Sequence, residues 1–497
     1  MRHECRPPNL PKCEREALSP VRALANQAFS RAAGAPLIPR NCIRLLKDAR
    51  ENYPAWLDAI RAAKRHILFE SYIIHEDDAG RMFADALVAK AAEGVRVRLI
   101  YDWLGSVGQA SRAFWSRLRA GGVEVRCYNS ARWDSPLGWL SRDHRKTLSV
   151  DGEVGFVSGL CVGQKWVGVP ENKIEPWRDT GVELRGPAVA DLEQAFAHVW
   201  AMIGEPIPEH ELPSRDTVAQ QGDAALRVVA SIPAFGVKFR VDQLLATLAK
   251  KRLWLTDAYY AGMTAYVQAL CAAAKDRVDV RLLVPNATDI PLLKPLSRAG
   301  YRTLLEAGVR VFEWNGTMLH AKTAVADGRW ARVASTNLNI ASWFGNCEMY
   351  VVAEDEPFAM LMEEMFLADL EDATEIALNA KKKVRAPNEP RHRHPVLTSG
   401  SGSVGRAAAG AVRIANVVVA AFTNRRVLEH VEARITVIAG VALLVLVILF
   451  AFYPRFQAYP LVLLLSWIAG TLLYRGYKLH RATVHWNSSE TRVGRKP

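Results

Sequence analysis

Two stretches of the chain carry the same reactive side chains at the same spacing: His144-Arg-Lys146-Thr-Leu-Ser-Val-Asp151 and His320-Ala-Lys322-Thr-Ala-Val-Ala-Asp327. Both lie in apolar runs that read as buried strands, and residues two apart on a strand face the same side. Each His is therefore expected to project with its Lys into one cavity. Two such strands meeting across a pseudo-twofold axis would surround a single site with two imidazoles and two ammonium groups. That set suits phosphodiester chemistry. One imidazole attacks phosphorus and splits one hard displacement into two easier ones. The other protonates the leaving alkoxide, then deprotonates an incoming alcohol. The lysines stabilise charge on the non-bridging oxygens. With that much fixed positive charge, no metal and no cofactor is expected. Asp151 and Asp327 are grouped with the catalytic residues, acting in the chemistry or orienting basic groups and turns.

A small-residue segment follows each motif: Val157-Ser158-Gly159-Leu160-Cys161 and Ala334-Ser335-Thr336-Asn337. Ser158, Gly159, Ser335 and Asn337 are expected to let the chain approach a phosphate and to donate hydrogen bonds to it. A nucleophilic imidazole also needs an acceptor on its far nitrogen, to fix the tautomer. Glu348 and Asp179, each downstream of a motif, are the candidates.

The frame that must position these groups is a degenerate internal repeat. One copy opens at Ala63-Lys-Arg-His-Ile-Leu-Phe-Glu-Ser-Tyr72, the other at Ala249-Lys-Lys-Arg-Leu-Trp-Leu-Thr-Asp-Ala258. Each opening reads as a helix end and a buried strand. Helices follow over 80–93 and 261–275, then apolar strands over 95–101 and 278–284. A second helix in each copy stops at glycine, in Ala120-Gly-Gly-Val-Glu-Val125 and Ala307-Gly-Val-Arg-Val311. Alternating strands and helices predict two α/β halves, each with a largely parallel or mixed sheet. One His-x-Lys triplet arises easily by chance; two complete copies in a duplicated frame do not.

The formal charge of +13 suggests nucleic acid until its distribution is read. From Lys381 to the end there are 18 Lys/Arg against 4 Asp/Glu, so the tail alone carries +14 and the first 380 residues are nearly neutral. The tail also holds two uncharged runs of 19 residues, 435–453 and 456–474, separated by Pro454-Arg455. Each approaches the roughly 20 residues needed to cross a bilayer. Arg425, Arg426 and Arg434 precede them and Arg475, Lys478 and Arg481 follow, which puts both ends and the catalytic body in the cytoplasm. Basic residues beside such spans attract anionic headgroups. The seven cysteines are scattered, without a CxxC pair, which disfavours a disulfide framework or a metal site. No apolar signal segment is evident at the N-terminus.

These residues resemble the phospholipase D superfamily and, within it, the bacterial cardiolipin synthases of the shorter second type, with C-terminal membrane segments. The segment from His144 to Gly159 is similar to the first family motif. His320 to Asp327, with Ser335-Thr-Asn-Leu338 and Asn346-Cys-Glu348, is similar to the second. Phe69-Glu-Ser-Tyr-Ile73 and Leu99-Ile-Tyr-Asp-Trp-Leu-Gly-Ser106 also resemble synthase segments, and the similarity spans roughly Asn41 to Glu371. The resemblance implies a phosphatidyltransferase that joins two phosphatidylglycerols into cardiolipin and frees glycerol, through a phosphatidyl-histidine. It implies His144 as nucleophile and His320 as general acid and base, an assignment that the symmetry leaves open. It also implies that Glu348 orients the histidine of its own motif. Cys161 stands where an Asn is usual, and Gly181 follows Trp177-Arg-Asp-Thr180 where a His is common; both bear on donor specificity.

The expected fold is thus α/β, two tandem phospholipase D-like halves with pseudo-twofold symmetry plus a C-terminal transmembrane helical hairpin. The divisions are an arm over 1–40, halves over 41–215 and 216–375, and a basic linker over 376–403. An interfacial helix over 404–432, the hairpin over 433–475 and a basic tail over 476–497 complete the chain. Expected partners are membrane phospholipids, phosphatidylglycerol with phosphatidylethanolamine as an alternative donor, and the anionic surface of a bacterial inner membrane; no nucleic acid is expected. The rival readings are a phospholipase D passing the same intermediate to water, a nuclease of this fold, and a non-enzymatic membrane scaffold.

Overall fold

The computed structural model describes residues 20–378, apart from 131–140, 170, 172–173, 234–235 and 291–292, together with 384–385 and scattered helical positions between 441 and 474. The described residues from 20 to 128 and from 141 to 378 belong to one compact unit. Among the described residues no helix is long and apolar enough to cross a membrane. The interfacial helix, hairpin and tail expected after position 403 lie wholly or largely outside the described residues.

Residues 1–40 were given no regular pattern by their sequence, yet Pro20–Ala33 is a helix, α1. Its Phe29 and Ala33 are buried in the core of the second half, with Phe29 stacked on Trp330 at 6.2 Å. Arg227 donates to Ser30 Oγ (2.8 Å) and Asn26 Oδ1 (2.7 Å) on the same helix.

The first half then runs β1 (Ile38–Lys47), α2 (Asp48–Ala62), β2 (His66–Ser71), α3 (Asp78–Ala92) and β3 (Arg96–Asp102). It continues through α4 (Trp103–Ser106), α5 (Arg112–Ala120), β4 (Glu124–Tyr128), the hairpin β5 (Lys146–Val150) and β6 (Val154–Ser158), α6 (Gln164–Val167), β7 (Thr180–Arg185) and α7 (Ala188–Met202). The second half repeats the order: β8 (Ala224–Ser231), α8 (Val237–Leu248), β9 (Arg252–Thr256), α9 (Thr264–Lys275), β10 (Asp279–Pro285), α10 (Leu293–Glu306) and β11 (Arg310–Trp314). The hairpin β12 (Thr323–Ala326) and β13 (Trp330–Ala334), then β14 (Glu348–Glu354) and α11 (Glu356–Glu371), complete it. β15 (Ala373–Leu378) runs through the position where a linker was expected to begin and pairs antiparallel with β11; β16 (Val384–Arg385) pairs with β15.

The described strands join one mixed sheet, and its order from β11 to β4 is palindromic about the middle. β1 and β8 pair antiparallel at the centre. Outward from β1 come β7, β6, β5, β2, β3 and β4; outward from β8 come β14, β13, β12, β9, β10 and β11. Among the described strands only β2–β3–β4 and β9–β10–β11 are parallel. Central strands are covered on both faces, so they read as continuous apolar runs. On β2, Ile67 and Phe69 join Trp56 of α2 and Phe83 of α3, while Leu68 faces Phe196 and Trp200 of α7. α7 packs on β8 and α11 packs on β1, so each half supplies a helix to the other's central strand.

Local signals set the helix ends. Asp77, Ser111 and Asp355 accept the backbone N–H groups of Gly80, Phe114 and Phe358 as N-caps. The stops after α5 and α10 use Gly122 (φ +87°) and Gly308 (φ +94°), a left-handed conformation that a side chain would oppose. Cys127, Cys161, Cys271 and Cys347 are free thiols; Cys42 is disulfide-bonded.

Replacing Phe29 with Ala is expected to lower unfolding stability by about 3 kcal/mol, because it empties a filled site between α1 and Trp330. Denaturant unfolding of the variant against the wild type measures this; an unchanged midpoint would mean that α1 adds nothing to the core.

Candidate active site

The positioning of the reactive groups begins in the backbone. Asp143 forms a parallel bridge with Cys347, and Arg178 one with Leu319. His144 N–H donates to Cys347 C=O at 2.9 Å, and His320 N–H to Arg178 C=O at 2.7 Å. Each bridge sets the histidine of one half beside the carboxylate of the other. His144 Nδ1 lies 3.0 Å from Glu348 Oε2, and His320 Nδ1 lies 2.7 Å from Asp179 Oδ2. The pairing is crossed, whereas Glu348 was expected to orient the histidine of its own motif. With Nδ1–H donated to a carboxylate, Nε2 keeps its lone pair for the site.

Lys146 and Lys322 reach back to the carbonyls of His144 and His320, and Lys322 Nζ is 2.9 Å from His320 Nδ1. All four groups are nearly closed to solvent, at 9% and 5% exposure for the histidines and 2% and 1% for the lysines. Burial lowers the His144 imidazole to about 4, with Lys146 adding to the shift against the pull of Glu348. Burial and Lys322 lower His320 to about 3. Both imidazoles are therefore neutral at pH 7, the form in which one can attack phosphorus. Burial also lowers Lys322 to about 8. Burial by itself would raise Glu348, but His144, Lys238 and Lys146 outweigh it and hold the carboxyl at about 2. Asp179 is likewise held below its ordinary range by His320 and Lys322.

The small residues after each motif serve these carboxylates. Ser335 Oγ donates to Glu348 Oε2 at 2.5 Å. A Cβ on Gly159 would stand 2.1 Å from Asp179 Oδ1, so only glycine admits that carboxylate. Ser158 Oγ turns to Leu160 C=O (3.2 Å) and supports the strand end rather than the site. Asn337 is buried, and its Oδ1, an acceptor, has no partner among the described residues.

Asp151 and Asp327, grouped by their spacing with the catalytic residues, sit at the far ends of β5 and β12 from the imidazoles. Asp151 accepts the N–H groups of Lys64, Arg65 and His66 at 2.7–2.8 Å. Asp327 accepts those of Lys250, Lys251 and Arg252 at 2.8–2.9 Å. Both have positive φ at a hairpin tip, which Asp tolerates. They lock the motif strand to the start of its neighbour, β2 or β9, and do not face the reacting groups.

Several residues at the site carried no signal in the motifs themselves. Trp166 Nε1 donates to Asp179 Oδ2 at 3.1 Å, and Trp166 and Trp177 both lie 5.6 Å from the His320 ring. Lys238, buried at the start of α8, donates to Asn346 C=O at 3.1 Å behind Glu348. Tyr72 and Tyr259 touch the two imidazole rings edge-on, at 4.8 and 5.7 Å. Tyr72 directly follows β2, whereas Tyr259 comes three residues after β9, one place out of the repeat register that sets Tyr72 against Ala258.

A family described as "Cardiolipin synthase, PLD-like domain" matches residues 56–200 and 244–370, the two halves that supply the crossed pairs. Cardiolipin synthase A of Pseudomonas aeruginosa is 35% identical over 369 residues, covering 72% of this chain and 73% of that protein. The cardiolipin synthase of Alkalihalophilus pseudofirmus is 33% identical over 337 residues, 67% of each chain. The chain belongs to the cardiolipin synthase family with phospholipase D-like domains. It is a phosphatidyltransferase of the cardiolipin synthase type. The family's fold also appears in the solved structure of phosphatidylserine synthase from Haemophilus influenzae Rd KW20, with TM-score 0.56 and 16% identity over 71% of this chain and 92% of that one. That likeness concerns the fold of this synthase alone.

Two outcomes follow from the geometry. Asp151→Ala should lower stability by about 3 kcal/mol, since it orphans three backbone donors at once, while the folded fraction keeps its product pattern; loss of turnover with unchanged unfolding would return Asp151 to the chemistry. The imidazoles give a second. An ordinary histidine takes its proton near 6.5, but these two resist it down to about 4 and about 3. Between those limits the unfolded chain binds more protons, so stability must fall as pH drops from about 6.5 toward 4. Denaturant unfolding at pH 7 and pH 5 should show a smaller loss for the His144→Gln, His320→Gln double variant than for the wild type.

Proposed function

We propose that this synthase transfers a phosphatidyl group from one phosphatidylglycerol to another through a covalent phosphohistidine. The observation that carries the reading is the crossed pairing, which gathers two oriented neutral imidazoles and two ammonium groups in one buried place. In the first step His144 Nε2 bonds to phosphorus, the bond to the glycerol headgroup breaks, and His320 protonates the departing oxygen. His320 is neutral in the free site. An anionic phosphodiester beside it raises its affinity for a proton, and Asp179 stabilises the imidazolium that forms. In the second step His320 takes the proton of the acceptor hydroxyl. That oxygen bonds to phosphorus and the P–N bond breaks, which returns His144 to its starting state. Lys146, Lys322 and Asn337 bind the non-bridging oxygens in both steps.

The site's place on a membrane belongs to the same proposal. The apolar runs over 435–453 and 456–474 and the basic residues around them support anchorage in a bacterial inner membrane with the catalytic body on the cytoplasmic side. The near-neutral body gives no support to a nuclease.

Purified full-length protein in mixed micelles of phosphatidylglycerol is expected to give cardiolipin and glycerol in equal amounts. His144→Ala should lower the rate by about a thousandfold or more, and acid-labile label on histidine should appear in the wild type and not in this variant. Phosphatidic acid as the sole wild-type product would replace transfer with hydrolysis.

A further inference from the structure

The two halves duplicate the chemistry but not the rim of the site. In the first half Asp102, the last residue of β3 and the N-cap of α4, is fully buried and accepts from Leu104 N, Gly105 N, Asp143 N and Arg142 Nη1 at 2.9–3.1 Å, so its oxygens hold the fold together. In the second half the loop after β10 keeps Asp289 half-buried, and Tyr259 Oη donates to its Oδ1 at 3.0 Å. Tyr259 is itself fixed. Its N–H donates to Asp257 Oδ2 (3.1 Å), and its C=O accepts from Asn339 Nδ2 (3.0 Å). Its ring edge meets His320, with Lys322 Nζ 5.9 Å from its centre. A carboxylate thus stands beside the half-buried tyrosine whose ring meets His320.

That carboxylate cannot be there for the phosphate, which it repels. It faces what is esterified to the phosphate. An acceptor-only group selects donors, which means hydroxyls or an ammonium. A third cation beside two buried ammonium groups is disfavoured electrostatically, and the group that already pairs with Asp289 is a neutral phenol. In-line displacement puts the departing and incoming alcohols opposite the nucleophile, on the side of the acid. Tyr259 and Asp289 lie on the His320 side, where both alcohols must sit in turn.

We propose that Asp289 and Tyr259 form a polyol subsite that holds the glycerol headgroup, first as leaving group and then as acceptor, and so favours transfer over water. The inference rests on the phosphatidyl-transfer reading and adds to it the group that reads the alcohol.

The test uses the full-length protein in mixed micelles with phosphatidylglycerol and phosphatidylmethanol in competition as donors. Release of glycerol and methanol is measured, together with the ratio of cardiolipin to phosphatidic acid. In Asp289→Ala the preference for phosphatidylglycerol should fall roughly tenfold, as expected for loss of a hydrogen bond to a charged group, and the cardiolipin ratio should fall with it. Tyr259→Phe, which removes one oxygen, should shift both readouts the same way by a smaller factor and carries the test if Asp289→Ala does not fold. Wild-type selectivity in an active Tyr259→Phe or Asp289→Ala variant overturns the subsite and leaves the transfer reading standing. A wild-type preference for phosphatidylethanolamine as donor, lost in Asp289→Ala, overturns it in favour of an ammonium site. Phosphatidic acid alone from the wild type overturns the transfer reading, and the subsite with it.

Discussion

Everything at this site depends on one constraint: each imidazole is held by a carboxylate from the other half. The backbone bridges Asp143–Cys347 and Arg178–Leu319 enforce the exchange before any side chain is considered. Neither half can orient its own histidine, so neither is a working unit alone. The constraint also explains the packing behind it. The β1–β8 seam, α7 over β8 and α11 over β1 all fix one half against the other. A slip of either half would break both His–carboxylate pairs at once, because a hydrogen bond tolerates only a few tenths of an ångström.

Burial gives the exchange its electrostatic consequence. Charge is costly in a place this dry unless it is paired. The two carboxylates stay ionised because lysines and N–H donors surround them, and the imidazoles stay neutral because protonation would add charge to a region already holding two ammonium groups. An arriving phosphodiester changes that balance, since its negative charge is what the lysines lack. On the proposed reading the resting site is arranged for a nucleophile, and the substrate itself creates the condition for the acid.

Much of this was legible in the sequence, for a physical reason. His and Lys at positions two apart on an apolar strand leave little freedom of direction, and the duplicated helix–glycine–strand order announced two halves. Glu348 and Asp179 were found by asking what a nucleophilic imidazole requires. Their partners were not, because a crossed pairing is a property of the sheet order and of bridges two residues long. The role of the aspartates stayed open, because equal spacing in two motifs looks the same whether it serves catalysis or a turn; the three backbone N–H groups that each carboxylate accepts put both at a hairpin tip. α1 was missed for another reason. Its fully buried contacts, Phe29 and Ala33, span a single turn, so its sequence has little period to read.

Duplication raises a question that symmetry alone cannot answer, since the reaction is directional. A nucleophile and an acid at equal distance from phosphorus, in equal surroundings, would bind each substrate in two orientations, and half of the encounters would place the alcohol on the wrong side. Direction must come from groups that the repeat does not copy. Among the described residues three differences surround the pair: Trp166 and Trp177 wall His320, Lys238 stands behind the carboxylate of His144, and Asp289 approaches from the second half. All three distinguish the ends of one axis through the two imidazoles. The symmetric core supplies reactivity, and its uncopied rim gives that reactivity a direction.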